Sequence, residues 1–385
     1  MKNRTRTGKE AKLVLEDGSE YSGYCFGNAR SQAGEVVFYT GMGGYPETLT
    51  DPGFRGQILV STYPLMGNSG VPVNPKTGAP ILDARGIPLH LESASIQIAG
   101  LVVSEVCDIP SHYSSGATLS AWLERNNIPG IYGIDTRSLS RRLRENGAMR
   151  GKIIIDGRGD LTMDSGMIPN PVAEVSQPEV KVHRSLPPSD GGEEAEKSKP
   201  LRIALIDCGV KAGLLRHLLD RNTEVTLLPW NHELKHIDYD GLLLSGGPGD
   251  PKACGKTIAT VRRAFDRKKP IFGTGLGNLI MALAAGADTY RLPCGHRGQN
   301  QPCMETGTSR CYITSQNHGY AIRQESLPRG WQPWFVNAND NSIEGIRSEL
   351  GPFEAVQFYP EGCPGPRDAE FLIDRFLDKL REAGK

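Results

Sequence analysis

The chain has 385 residues, more than one average domain, and 38% of them are hydrophobic against 23% charged, which allows buried cores and excludes wholesale disorder. Lys and Arg number 44 and so do Asp and Glu, so no net field draws the chain onto nucleic acid or an anionic bilayer, and neither partner is expected. No apolar run is long enough to span a membrane, and the basic start Met1-Lys-Asn-Arg-Thr-Arg-Thr-Gly-Lys9 leads into no apolar stretch, so no secretory signal is read and a cytoplasmic location is expected.

In chain order, Ala11–Glu16 and Tyr21–Phe26 read as a hairpin across Asp17-Gly18. Glu35–Thr40 is a further strand, running into the glycine-rich loop Gly41-Met-Gly-Gly-Tyr-Pro-Glu-Thr-Leu-Thr-Asp-Pro52, and Ile58–Tyr63 is another. Ser95–Val106 is mostly β-branched and apolar, while Leu119–Arg125 and Thr136–Asn146 read as helices, the first followed by Pro129-Gly130 and the second by Gly147. Residues 1–155 are therefore expected to form one mixed, β-rich domain. From 156 to 200 apolar periodicity fades, with Ile168-Pro-Asn-Pro171 and Leu186-Pro-Pro-Ser-Asp-Gly-Gly-Glu-Glu-Ala-Glu196, which reads as a linker. Residues 201–385 then become regular: strands at Ile203–Asp207, Glu224–Leu228, Gly241–Ser245 and Ala355–Phe358, helices at Gly213–Arg221 and Ile258–Phe265, and a closing amphipathic helix at Asp368–Arg381 with Leu372, Phe376 and Leu380 on one face. Short apolar strands alternating with helices predict an α/β domain with a doubly wound parallel sheet, whose sites lie beyond the carboxyl ends of its strands. The eight cysteines contain no C-x-x-C pair and read as free thiols, with no disulfide framework and no metal site.

Within that domain, Pro270–Phe272 passes through Gly273-Thr-Gly-Leu-Gly277 into an Ala/Leu-rich segment from Leu279, giving strand, tight turn and helix. Three readings of the turn stand open: glycines that only let strand and helix pack closely, a nucleotide-phosphate loop whose spacing departs from G-x-G-x-x-G, or a nucleophile elbow whose central position, Gly275, has no side chain.

The chain also carries Tyr63-Pro-Leu-Met-Gly-Asn68 and Gly133-Ile-Asp-Thr-Arg137 beside the 41–52 loop, and then Asp207-Cys-Gly-Val-Lys211, Gly247-Pro-Gly-Asp-Pro251, Gly295-His-Arg-Gly298, Ser315-Gln-Asn-His-Gly-Tyr320 and Pro360-Glu361. This ordered set resembles the small, glutamine-hydrolysing subunit of carbamoyl-phosphate synthase, a class I glutamine amidotransferase, over nearly the whole chain. The resemblance implies a Cys in the elbow that attacks the glutamine amide, a His that moves the proton and a Glu that orients the His. On this sequence the Cys position is Gly275, the His position is Tyr359 and the Glu position is Glu361, so only the orienting carboxylate remains. It further implies substrate contacts at Gly41, Gly247, Gly249, Leu276, Leu279, Asn317, Gly319 and Tyr320, with Leu279 standing where the family commonly has Gln.

The expectation that follows is a homologue of the subunit that converts glutamine to glutamate and ammonia for carbamoyl phosphate in arginine or pyrimidine synthesis. Its own glutaminase is expected to be lost, leaving a non-catalytic partner of a large synthetase subunit. ATP and metal are expected only on that partner, and no cofactor on this chain. Two alternatives are a glutaminase that uses an unorthodox residue, for which Cys294, Cys303 and Cys363 are candidates, and a sensor that binds glutamine or another small metabolite.

Overall fold

Strands with alternately buried side chains build the N-terminal part. The computed structural model describes residues 8–186 and 199–383, and the chain divides into two units. One comprises Met1–Ile81, Pro88–Pro169 and Pro293–Gly298, the other Leu82–Ile87, Asn170–Leu292 and Gln299–Lys385.

The first unit holds β1 (Glu10–Leu15), β2 (Glu20–Gly27), β3 (Gln32–Tyr39), α1 (Tyr45–Thr50), β4 (Gln57–Ser61), β5 (Gly100–Val102), α2 (Leu119–Arg125), β6 (Pro129–Tyr132), α3 (Thr136–Asn146) and β7 (Met149–Ile155). The seven strands close into a barrel in the order β1-β2-β6-β5-β4-β3-β7. Leu13 sits opposite Tyr21 on one side and Ile153 on the other, and Leu13, Leu15, Val36, Ile58, Val102, Ile131 and Ile153 share one buried cluster. A second cluster joins the other faces of β3, β4 and β5 to the helices through Val37, Leu59, Leu101, Leu49, Trp122 and Leu123. Helices α2 and α3 start where the sequence predicts because Thr118 and Asp135 accept the N–H groups of Ala121 and Ser138. Of the apolar run Ser95–Val106, only Gly100–Val102 is strand; Ile96 and Ile98 are buried without being part of a ladder.

The second unit holds α4 (Pro171–Val175), β8 (Lys181–Arg184), β9 (Leu201–Asp207), α5 (Ala212–Leu219), β10 (Thr223–Pro229), β11 (Gly241–Leu244), α6 (Gly255–Phe265), β12 (Ile271–Thr274), α7 (Leu276–Ala285), the two ends of β13 (Thr289–Glu305), whose middle, Pro293–Gly298, counts with the first unit, β14 (Cys311–Ile322), β15 (Trp331–Asn337), β16 (Ile343–Ser348), β17 (Phe353–Val356) and α8 (Phe371–Ala383). Five strands, β10-β9-β11-β12-β17, run parallel. One face of this stretch, with Leu205, Leu243, Phe272 and Val356, packs on α5 and α8 through Leu218 and Phe376. The opposite face, with Ala204, Leu242, Leu244 and Ile271, packs on α6 and α7 through Val261 and Ile280. Helices on both faces make it a doubly wound sheet. The sheet is wider than its parallel part: β16 pairs antiparallel with β17 and β15 antiparallel with β16, and β8 adds an antiparallel edge beside β10.

Part of the stretch 156–200, read from the sequence as linker, carries these last elements: Asn170 caps α4 and β8 joins the sheet. Residues 187–198 of that stretch lie outside the described residues. Among the described residues no helix is long and apolar enough to cross a membrane.

Candidate active site

β12 ends at Thr274 and α7 begins at Leu276, so Gly275 alone turns the chain, at φ 53° and ψ −118°. Side chains rarely adopt that conformation, and glycine adopts it without cost. The flanking glycines are fixed by crowding. A Cβ on Gly277 would lie 2.5 Å from the carbonyl oxygen of Leu244, and one on Gly273 would lie 2.8 Å from that of Gly277. The turn is tied to both neighbouring strands: Gly275 N–H donates to Val356 O at 2.9 Å and Gly277 N–H to Ser245 O at 3.1 Å. Deeper in α7, the Asn278 side-chain amide donates to Gln357 Oε1 at 2.8 Å, a buried amide pair that fixes the helix to the segment after β17.

The loop after β11 lies against this elbow. Ser245 Oγ accepts from Cys208 N–H and donates to Gly246 O. Gly247 is pressed onto the preceding strand loop, since a Cβ there would lie 2.0 Å from Cys208 O and 3.1 Å from Leu276 Cδ2. Gly249, at φ 86°, takes the left-handed form beside Pro171. Next to this loop, burial pushes the Asp207 carboxyl up, against the backbone N–H groups of Val210, Gln177 and Gly209 that hold its charged form.

After β17 the chain brings Tyr359 and Glu361 to the same place. Tyr359 N–H donates to Ser315 O of β14 at 2.9 Å, and the side chain is 5% exposed. The ammonium of Lys211 lies 3.9 Å from the centre of the Tyr359 ring and 3.3 Å from Glu361 Oε1, with Lys211 and Glu361 both buried. A buried cation is stabilised by an opposite charge and by an aromatic face, and here it has both. The edge of the Tyr359 ring, Cε1, stands 3.4 Å from where a Cβ on residue 275 would be and 3.1 Å from where one on Gly246 would be.

The structure thus assembles Gly275, Leu276, Gly247, Tyr359 and Glu361, with Gly249 in the same loop. Asn317, Gly319 and Tyr320 lie on β14, the strand whose Ser315 meets Tyr359. The intervening His318 is held by the carbonyl of Tyr320 at 2.8 Å and by Gln316 Oε1 at 3.0 Å. Leu279 belongs to the apolar cluster with Leu244, Leu276 and Ile280. Gly41 lies in the first unit, in the loop after β3, beside the Tyr39 ring. In the sequence Lys211 stands out only as the end of a motif; the fold alone brings it to Glu361 and the Tyr359 ring. None of the eight cysteines forms a disulfide. Cys303 is fully buried, its thiol driven up by that burial, and Cys363 Sγ donates to Glu361 O at 3.3 Å; neither occupies a strand-to-helix elbow.

Residues 13–153 match the CPSase domain of the carbamoyl-phosphate synthase small chain, and residues 204–379 match the class I glutamine amidotransferase family. The chain belongs to the carbamoyl-phosphate synthase small-chain family. Over 97% of its length it is 44% identical to the human mitochondrial protein named carbamoyl-phosphate synthase [ammonia], of which it covers 24%. It is 43% identical, again over 97% of its length, to the multifunctional protein pyr1-3 of Dictyostelium discoideum, of which it covers 17%. The chain therefore spans a quarter or less of these relatives. Among solved structures, a glutamine amidotransferase from Thermotoga maritima is 19% identical with a TM-score of 0.35, over 47% of this chain and 84% of that one. In this member of the small-chain family the elbow carries no thiol and the facing position carries a phenol, while glycines occupy 273, 275 and 277 in the elbow and 246, 247 and 249 in the loop after β11.

Proposed function

We propose that this chain is a non-catalytic small chain of a carbamoyl-phosphate synthase: it partners a large synthetase subunit that binds ATP and metal and makes carbamoyl phosphate, for arginine or pyrimidine synthesis, from ammonia. The observation that carries this reading is the pairing of Gly275 at the elbow with Tyr359 against it. Attack on a glutamine amide needs a nucleophilic atom at the elbow, and glycine offers none. Proton transfer to the departing ammonia needs a group that titrates near neutrality, and a phenol with a reference pKa of about 10 is a poor one. Glu361, the retained orienter, is engaged with Lys211. The large partner is supported by relatives in which the matching region makes up a quarter or less of a longer synthase or multifunctional chain, and the ammonia route by the name that one of them carries.

The test uses the purified full chain, by itself and mixed with the large chain of a carbamoyl-phosphate synthase. Ammonia release from glutamine should stay at the blank, and carbamoyl phosphate should form from ammonium but not from glutamine. Glutamine turnover above the blank, abolished by changing one of the eight cysteines to Ser, would overturn the reading and identify a relocated nucleophile.

A further inference from the structure

The elbow is more than a site that lacks a thiol. In acyl transfer the reacting carbonyl must sit roughly 3 Å from both the nucleophile position and the N–H donors that receive the developing oxyanion. Here those limits are Gly275 on one side and the Gly246-Gly247 loop with the start of α7 on the other. Into this interval projects the edge of Tyr359, 3.4 Å from the Cβ place of Gly275, an ordinary contact, and 3.1 Å, closer than one, from that of Gly246. A planar amide has about the thickness of an aromatic ring, so the ring edge and a substrate amide cannot share the interval.

The ring is also held. Its backbone N–H is bonded to Ser315 O, its face receives the Lys211 ammonium at 3.9 Å, and that ammonium is tied to Glu361 at 3.3 Å. Tyr359, Lys211 and Glu361 are 5%, 3% and 1% exposed. Swinging the ring out would take an aromatic side chain into water and strip a buried cation of one of its partners, so the packed arrangement is strongly favoured. The glycine at 275 leaves room for the ring, and the ring fills the room that the glycine leaves.

We propose that Tyr359 is a specificity-determining plug, positioned by Lys211 and Glu361, that occupies the place of the side-chain amide and makes the pocket reject glutamine. This rests on the reading above only in taking glutamine as the ligand the family fold was built for. It goes further in separating a pocket that binds without turnover from one that does not bind.

The experiment is equilibrium dialysis of radiolabelled glutamine against the full chain, with folding of each variant checked by circular dichroism and thermal melting. Wild type and Tyr359→Phe, which keeps the ring, should retain no glutamine saturably. Tyr359→Ala and Tyr359→His, which withdraw the ring edge, should bind saturably, with affinity at least about tenfold above the wild-type bound. Lys211→Met should give a smaller gain that Lys211→Arg does not, because a cation at 211 still pins the ring. Should Tyr359→Ala not fold, Tyr359→His alone decides, since imidazole is shorter than phenol. Saturable binding to wild type would overturn the plug, and so would silence of the folded Ala or His variants. Binding to wild type without ammonia release sinks the plug and leaves the non-catalytic reading standing; ammonia release sinks the latter.

Discussion

Gly275 and Tyr359 meet through space although they belong to separate elements, which makes their substitutions interdependent. Gly275→Cys alone places a Cβ at φ 53°, 3.2 Å from Gly246 Cα and 3.4 Å from the Tyr359 ring, and the expected loss is about 1–3 kcal/mol of stability. The Cβ itself meets the ring at ordinary contact distance, but the sulfur one bond beyond it needs room that the ring holds and that histidine at 359 frees, so the double variant Gly275→Cys/Tyr359→His should lose less than the two single losses added together. A coupling of about 0.5–3 kcal/mol, read from urea midpoints in a double-mutant cycle, is expected. Strict additivity would mean that ring and sulfur do not compete for that room. The sequence points to both positions, to Gly275 by its strand–turn–helix pattern and to Tyr359 only through the family resemblance that the Pro360-Glu361 motif helps to carry. It does not point to Lys211, since a lysine in a polar motif reads as a solvated charge until Glu361 and the Tyr359 ring, distant in sequence, are seen beside it. The Asn278–Gln357 amide pair is hidden for the same reason.

Elements with a strong period or a cap announce themselves. Helices α2 and α3 fall on the predicted residues, and Leu372, Phe376 and Leu380, the predicted inner face of α8, are all buried. The strands β13 to β16 carry no such signal, because their buried positions include polar side chains that satisfy one another. Thr314 Oγ1 donates to Gln301 O, Gln316 Nε2 to Thr314 Oγ1, and His318 rests on Gln316 Oε1. A buried polar ladder of this kind has no apolar alternation to betray it. The parallel core shows a related device on the face of α8: Glu354 of β17 is buried, 2.8 Å from Arg375 and 2.6 Å from Lys379. Burial alone would raise its carboxyl, but the hydrogen bonds from Arg375 and Lys379 outweigh it and hold the carboxyl below its ordinary value of 4.5. A depressed folded-state pKa contributes stability above the unfolded value, and that contribution is lost as pH falls through the folded one. Glu354→Gln should therefore cost about 1–3 kcal/mol near neutral pH, with solvent screening part of the share from half-exposed Arg375. Denaturant titrations of both proteins should converge as pH drops below 4.5, where wild type loses the same interaction. A gap that stays constant down to acid pH would assign Glu354 a packing role instead.

For the whole molecule, composition and the change from alternating strands to strand–helix repeats point to two folded parts, but not to where the second begins. Asn170-Pro171 is a helix start, with the Asn170 side chain accepting from Ala173 N–H, yet in a run rich in Pro and polar residues it reads as loop. Lys181–Arg184 is short, polar and exposed, as an edge strand tends to be, and its membership of the sheet depends on β10. Only the fold shows that Gln177 N–H is bonded to the buried Asp207 carboxylate at 2.7 Å and that Ser176 Oγ accepts from Trp230 N–H. These attachments bear on where a protease enters, because cleavage requires several residues to leave their partners and extend into its cleft. After Glu174 or Glu179, that means breaking α4, the Asp207 bond and the β8 ladder together. Pro187 to Glu196 contains two prolines, two glycines, three glutamates and a single alanine as its only small apolar side chain, a composition with little to bury. A glutamate-specific protease at low ratio should therefore cut first after Glu193, Glu194 or Glu196, and mass spectrometry of the earliest products should show fragments ending there. If fragments ending at Glu174 or Glu179 come first, the attachments of residues 170–184 are weaker than their hydrogen bonds imply, and the second unit begins nearer Leu201.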